Sequence, residues 1–197
     1  MVKRKTRQIF TVGLTMIIIA VVIAALVSLA RIVLFTSSTT TTNDTSVTSL
    51  LSTTADRVVR MTVRGPIVAD EDYRSYQIIV TPNTRTMTTY KGYLNQAIDN
   101  KVLANNIPAY EQFVYALNNA NYMKGNELTG DNNDTRGLCA TGSLYQFEIL
   151  QSDKTIKKLW TTSCSSTRGS LNATLSAITK LFSAQIPNSK ALIDALW

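Results

Sequence analysis

The chain has 197 residues, with 20 lysines and arginines against 13 aspartates and glutamates. It contains no histidine, which excludes Ser-His and Cys-His nucleophile pairs, imidazole-bound zinc and a switch based on imidazole protonation. An enzyme built from this chain would be restricted to carboxylate, lysine, tyrosine or hydroxyl chemistry.

The positive charge is concentrated at the N-terminal end. Five of the twenty basic residues precede residue 32 and no acid precedes residue 44, so the rest of the chain carries fifteen basic residues against thirteen acids, a balance of +2. The basic isoelectric point therefore mostly reports membrane topology and does not indicate nucleic-acid binding. We expect no nucleic-acid partner.

Residues 9–30 carry no charged side chain and, as a helix, reach about 33 Å, which matches a bilayer core of about 30 Å. Four basic residues precede this run and only Arg31 follows it closely, a bias that keeps the N-terminus cytoplasmic. The sequence predicts a cytoplasmic basic tip at 1–8 and a single transmembrane helix at 9–35. The lipid bilayer is thus the first predicted partner, and the localisation is the cell membrane, with the C-terminal part extracytoplasmic.

A cleaved signal peptide is the alternative interpretation of this segment. Ser28, Leu29 and Ala30 provide small residues at the positions that a signal peptidase requires. The apolar run is longer than the 7 to 15 residues or so of such peptides, and it continues past Arg31, which favours a retained anchor. Whether the chain is cleaved after Ala30 stays open.

Between Thr36 and Thr54, fourteen of nineteen residues are serine or threonine. Burial of the few apolar side chains in this segment would not offset the conformational entropy that the segment loses on ordering. The sequence therefore predicts a solvated, flexible stalk at 36–55. Residues 56–197 then form one extracytoplasmic domain.

The first half of that domain is predicted to be mostly strands. Residues 57–64 alternate in part and stop at Gly65-Pro66, and residues 73–81 and 85–90 form a hairpin around a short turn. Residues 93–104 are ambiguous between strand and helix. Their alternation and the lack of a preceding cap favour a strand.

Two amphipathic helices are predicted. Asn106 and Pro108 start the first, whose apolar residues Tyr110, Phe113 and Leu117 recur at helical spacing. The second runs from a cap at Ser170 to residue 186, where proline follows, and the tail at 191–197 forms a last helical turn or two. Between them, strands at 143–150 and 154–162 make a second hairpin.

Cys139 and Cys164, the only cysteines, flank this second hairpin. In an antiparallel pair, the residue numbers of any two facing residues add up to the same value. A loop at Gln151-Ser152 sets this value at 303, and 139 and 164 also add up to 303. We therefore predict a Cys139–Cys164 disulfide, favoured by an oxidising compartment. A reduced buried pair and a redox-active pair are the alternatives.

The same register places Phe147 opposite Ile156, with Trp160 on the same face. The element order then predicts an α+β fold, an antiparallel sheet with the amphipathic helices on one face in two layers. The other face, carrying Arg74, Tyr76, Thr86 and Thr88, is expected to be more polar and open to a partner.

The acids do not form a recognisable catalytic or metal-binding motif. Residues 131–134 resemble the start of a calcium loop, but Arg136 and Gly142 stand where glycine and a bidentate acid belong. Three Asn-x-Thr sites, at 43, 133 and 172, fit the glycosylation pattern and are common by chance in a chain rich in asparagine and threonine. We predict no metal and no cofactor.

A carboxylate-dependent hydrolase stays an alternative. Its candidate acids are Asp70, Glu71, Asp72 and Glu111, while Glu148 is expected on the side of its strand away from Phe147 and Ile149. The first three are also explained as a solvated turn, and Glu111 as a first-turn acid favoured by the helix dipole. No catalytic residue is therefore assigned, and the chain is predicted not to be an enzyme.

Several segments together resemble uncharacterised single-pass envelope proteins of Saccharibacteria and related candidate-phylum bacteria: YRSYQIIVTPNTRTMTTYKGY at 73–93, AYEQFVYALNNAN at 109–121, DTRGLCATGSLYQFEIL at 134–150 and LWTTSCSSTRGSL at 159–171. The order strand, strand, helix is also similar to that of a bacterial domain of unknown function. In that domain a hairpin that ends in Tyr-x-Gly, here residues 90–92, precedes a helix. The resemblance implies a cell-surface domain and no particular activity.

We expect a membrane-tethered binding or envelope-interaction module with an unknown envelope or cell-surface partner. This expectation depends on the predicted anchor, the stalk, the cysteine pair and the lack of a catalytic motif. A subunit of a secretion or pilus-type assembly is the further alternative, since a short tip and one helix are also enough for assembly.

Overall fold

The structure, a computed structural model, describes residues 45–164 and 169–197. One six-stranded antiparallel sheet has the order β4-β3-β2-β1-β5-β6. Its strands are β1 (Arg57–Arg64), β2 (Arg74–Val80), β3 (Thr84–Lys91), β4 (Gln96–Ala104), β5 (Leu144–Gln151) and β6 (Lys154–Thr162). The helices of the described residues are α1 (Thr45–Leu51), α2 (Ile107–Asn119), α3 (Leu175–Ala184) and α4 (Ser189–Asp194), with a short 3-10 helix at Gly130–Asn133. The predicted α+β class is confirmed.

The predicted basic tip at 1–8 and transmembrane helix at 9–35 lie outside the described residues. Within 45–164 and 169–197, no helix has both the length and the apolar character needed to cross a membrane.

Helix α1 corrects part of the predicted stalk. Residues 45–51 are helical, and Leu50 is only 1% exposed, so this portion of 36–55 is folded rather than solvated. The reason is that Val47, Leu50 and Leu51 fall at i, i+3 and i+4, which gives one apolar side in an otherwise polar tract. Residues 36–44 lie outside the described part.

The core fills the space between one sheet face and the helices. Odd-numbered β1 residues and even-numbered β2 residues point into it, so Tyr76 is buried with Ile78 and Val80. The expectation that Tyr76 and Arg74 lie on the polar face is therefore wrong, because both share the parity of those buried neighbours. Thr86 and Thr88 do lie opposite the core, since Met87 between them is buried.

The start of α2 is as predicted. The Asn106 side chain accepts a hydrogen bond from the Ala109 N–H at 2.9 Å, and Tyr110, Phe113, Val114 and Leu117 are buried. The start of α3 is not: the helix begins at Leu175, and Ser170 is buried away from it. The Ser170 hydroxyl accepts from the Trp160 N–H at 2.8 Å, so it caps no helix.

The β5–β6 register also differs from the predicted one. The turn falls at Ser152-Asp153, and the register shifts between Ile149 and Leu150, so Phe147 faces Leu159 instead of Ile156. The displacement is an odd number of residues, which exchanges the two faces of β6. Trp160 therefore lies opposite Gln146 on the polar side. The predicted strand in 93–104 is confirmed as β4, and the helical tail as α4.

Tyr122 connects the helix layer to the centre of the sheet. It is fully buried, its ring packs edge-on against Phe147 with centroids 5.7 Å apart, and it also contacts Phe182. Its hydroxyl donates to the Arg60 carbonyl at 2.9 Å and accepts from the Glu148 N–H at 3.1 Å. One side chain thus holds the main chains of β1 and β5 together.

Tyr122→Phe should therefore lower the free energy of unfolding by about 1–3 kcal/mol, because it leaves a buried N–H and a buried carbonyl without this partner. Tyr110→Phe is the matched control, since the buried Tyr110 hydroxyl has no hydrogen-bond partner in the described part of the chain. Urea denaturation of both variants provides the measurement. Equal losses in the two would contradict the assigned role.

Candidate functional site: a polar groove beside an aromatic pocket

The sheet face opposite the helices forms a shallow polar groove of about 320 Å3. Because strand side chains alternate, the residues of this face come from every second position of four neighbouring strands and are joined by one turn residue and by Lys158 of β6. The polar groove is lined by Arg60, Thr62, Arg64, Ser75, Gln77, Tyr90, Asn95, Gln146, Glu148 and Lys158.

Three cations and one carboxylate set the charge of the polar groove. The Arg60 Nε donates to Glu148 Oε2 at 2.7 Å; Glu148 is only 7% exposed, whereas the Arg60 side chain is 26% exposed, so the carboxylate is the desolvated partner. Arg64 and Lys158 form no ion pair with any described residue, although both are half-buried. The groove therefore has a net charge of +2, located on these two side chains.

An aromatic pocket of about 340 Å3 adjoins the groove. Its platform is Tyr73 and Tyr93, stacked with ring centroids 4.0 Å apart and planes 18° from parallel. The Tyr93 hydroxyl donates to the Val68 carbonyl at 2.7 Å, and the Tyr93 N–H donates to Asp70 Oδ1 at 2.8 Å. Burial raises the pKa of Tyr73, so its phenol stays neutral. The rings are therefore held in place before any ligand binds.

Arg64 lines both the polar groove and the aromatic pocket, and is the residue that joins them. Arg136 adds a second guanidinium to the pocket, but its Nε donates to both Asp134 carboxylate oxygens at 2.9 Å. The hydrogen bonds from Arg136 lower the pKa of Asp134 to about 2. Arg136 is therefore already neutralised, whereas Arg64 is not.

The Cys139–Cys164 disulfide is present, as predicted. The disulfide connects the end of β6 to the loop before β5. This loop, which includes Leu138, forms one wall of the aromatic pocket. Gly142 is required beneath the disulfide, because an added Cβ would stand 2.6 Å from Cys139 Sγ and 2.3 Å from Ser163 Oγ. Cys139 has a positive φ of 54° and lies in the loop before β5. Because it is not a strand residue, the disulfide bond does not require the predicted hairpin register, which is wrong.

Three acids, Asp70, Glu71 and Asp72, share one turn, while Glu111 and Glu148 lie on other elements. Asp70 caps the Tyr93 N–H, Glu111 is on α2, and Glu148 is paired with Arg60 in the groove. Asp72 lines a separate cavity with Trp197, and Glu71 contributes a carbonyl to Arg74. Within the described ranges, no group of three His, Cys, Asp or Glu side chains is placed to hold a metal ion.

The segment that resembles a calcium loop is used structurally. Gly130–Asn133 is the 3-10 helix, and the Asn133 side chain accepts from the Trp160 indole N–H at 3.0 Å. Asp134 binds Arg136 instead of an ion. This segment therefore packs against β6 and shapes the aromatic pocket.

Sequence reasoning missed Arg64, Lys158 and Tyr93. A signal existed for Arg64, because the alternation of β1 places it on the face of Arg60 and Thr62. The contribution of Tyr93 depends on a contact with Tyr73 twenty residues earlier, which no local pattern indicates. Comparison with known proteins adds no assignment, since no family model matches the chain and no curated protein matches it.

Replacing both cysteines by serine should lower the free energy of unfolding by about 3 kcal/mol, because the disulfide closes a loop over a separation of 25 residues. Chemical denaturation of the Cys139→Ser/Cys164→Ser variant measures the loss, and wild-type protein with and without reductant serves as its control. If reductant leaves the wild-type unfolding midpoint unchanged, the bond does not stabilise the fold.

Proposed function

We propose that this chain is a membrane-tethered extracytoplasmic binding module whose polar groove and aromatic pocket take an anionic polymer of the cell envelope. The polymer chemistry is a chain of hydroxyl-bearing units that carry phosphate or carboxylate groups. The tether is the predicted helix at 9–35, with the tip at 1–8 cytoplasmic. The lipid bilayer is the second partner in this proposal.

The observation that supports the proposal is the guanidinium of Arg64, which lies at the junction of the two cavities and has no carboxylate partner among the described residues. A guanidinium offers a planar pair of donors that fits carboxylate or phosphate in a bidentate manner. Because Arg64 is half-buried, it is already partly desolvated, and an anion there is less screened than at an open surface. Lys158 gives the opposite end of the groove a second positive charge.

The other groove residues favour a hydroxyl-rich backbone between the charged groups. Asn95 presents an amide and Tyr90 a hydroxyl, and the Gln77 amide donates to the Thr62 hydroxyl at 3.0 Å, so both donors and acceptors line the path. Ser75 and Gln146 are buried beneath them. The fixed Tyr73–Tyr93 pair adds an apolar contact at one end. An open groove of this kind fits a repeating chain better than a small ligand, which typically needs an enclosing cavity.

Arg64→Gln should weaken binding of the full chain to isolated anionic envelope polymer by about ten- to a hundredfold, because it removes a charge-assisted hydrogen bond worth about 1.5–3 kcal/mol. Lys180→Gln, on the exposed side of α3, makes the same change in net charge away from the groove and is the matched control. Co-sedimentation at two salt concentrations measures both variants. The proposal fails if the two lose affinity equally, since binding would then follow net charge alone.

The predicted topology has its own test. Protease added to intact cells should digest the part of the chain after residue 56, because the proposal places it outside the membrane. A tag at the N-terminus should survive in the same cells and become sensitive only after the membrane is opened. Protection of the C-terminal part in intact cells would contradict the tethered arrangement.

A further inference from the structure

The two edge strands of the sheet, β4 and β6, differ in how far other residues cover their outer main-chain groups. The outer edge of β6 is occupied: the Lys158 N–H donates to Glu127 Oε1 at 2.6 Å, and the Trp160 N–H donates to Ser170 Oγ at 2.8 Å. The Trp160 carbonyl in turn accepts from the main chain of Ser170 and Leu171. Such cover prevents further strand pairing on that side.

The β4 edge has no comparable cover among the described residues. Seven of its nine residues are exposed, and Ile98 and Val102 are apolar side chains exposed by 51% and 58%. The Asn100 N–H donates to the adjacent Asp99 Oδ1 at 2.8 Å, which indicates that this amide points to the free edge rather than into the β3–β4 ladder. An edge with open main-chain groups is a template for another strand.

The sequence of β4, QAIDNKVLA, is complementary to itself when read antiparallel about Asn100. In that register Asn100 faces Asn100 of a second copy and Asp99 faces Lys101. The β3–β4 register shifts between Thr89 and Tyr90 and leaves Ile98 without a β3 partner, so the complementary contacts are those of residues 99–101. The opposite-charge pair occurs twice because of the two-fold symmetry. Opposite charges that face each other across strands stabilise the pairing.

We propose that two copies of this chain dimerise by antiparallel pairing of their β4 strands, centred on Asn100. The two six-stranded sheets then form one continuous sheet. The Asp99 carboxylate leaves the Asn100 amide for Lys101 of the second copy, and Lys101 releases the Pro187 carbonyl, its present acceptor at 2.7 Å. The freed Asn100 amide then bonds across the two-fold axis.

This geometry places both polar grooves on the same side of the joined sheet, because residues that face each other across an antiparallel pair point to the same side. The inference does not depend on the proposed polymer ligand. If that ligand is correct, one polymer chain meets two sites, and the second contact is intramolecular.

Charge reversal tests the register in the full chain, purified in detergent. Asp99→Lys and Lys101→Asp each place like charges opposite each other twice, so each variant alone should dimerise about tenfold more weakly or worse. An equimolar mixture of the two, carrying different tags, should regain the wild-type affinity, because every facing pair is then of opposite charge. Lys154→Asp, at an exposed position of β6, makes the same substitution away from this edge and should leave the dimer unchanged.

Light scattering and recovery of one tag with the other give the readouts. Monomeric wild-type protein at all concentrations, undiminished dimers in both single variants, or no recovery in the mixture would each overturn the proposal. As an independent check, Asn100→Cys should form a disulfide-linked dimer faster than Tyr115→Cys, because the central pair lies at about 5.5 Å between Cα atoms, within disulfide range. Equal rates at the two positions count against the register.

Discussion

The buried hydroxyl of Tyr122 is the contact on which both the core and the groove depend. It bonds the main chain of Arg60 and Glu148, the two residues whose side chains form an ion pair on the opposite face of the sheet. Burial raises the pKa of the Tyr122 phenol, so it stays neutral and keeps its ability to donate and accept. Because the ring also contacts Phe182 of α3, the helix layer fixes the position of the groove centre from beneath.

The two arginines of β1 that face the groove have different physical roles. Arg60 is neutralised by Glu148 at 2.7 Å, and removing Arg60 would leave the buried Glu148 carboxylate without this partner, so the pair fixes the groove floor. Arg64, four residues further along the strand, has no such carboxylate in the described part of the chain, although it is also half-buried. The strand alternation thus presents one satisfied and one available guanidinium on the same surface.

The parts of the fold that sequence predicted are those set by local chemistry. Asn106 and Pro108 mark the start of α2 because capping depends on adjacent residues, and the alternation of β1 gives its bounds directly. The β5–β6 register was missed because the shift at Ile149 is a property of the hairpin geometry that no residue pattern encodes. The disulfide prediction was still correct, because Cys139 and Cys164 both lie outside the paired residues of β5 and β6. Their contact therefore does not depend on the register of that pair. The candidate site was predicted only as a polar face, because the Tyr73–Tyr93 stack is a tertiary contact.

The polar loop between α2 and β5 connects sheet stability to the shape of the site. At one end Glu127 accepts from the Lys158 N–H at the β6 edge, and Asn133 accepts from the indole N–H of Trp160 on the same strand. At the other end the same loop supplies the Leu138 wall of the aromatic pocket, and its cysteine ties that wall to the end of β6. Since both ends are attached to one strand, a movement of β6 must displace the pocket wall. The shape of the aromatic pocket and the cover of the β6 edge are therefore coupled through this loop. The loop residues that connect them show no periodic sequence pattern.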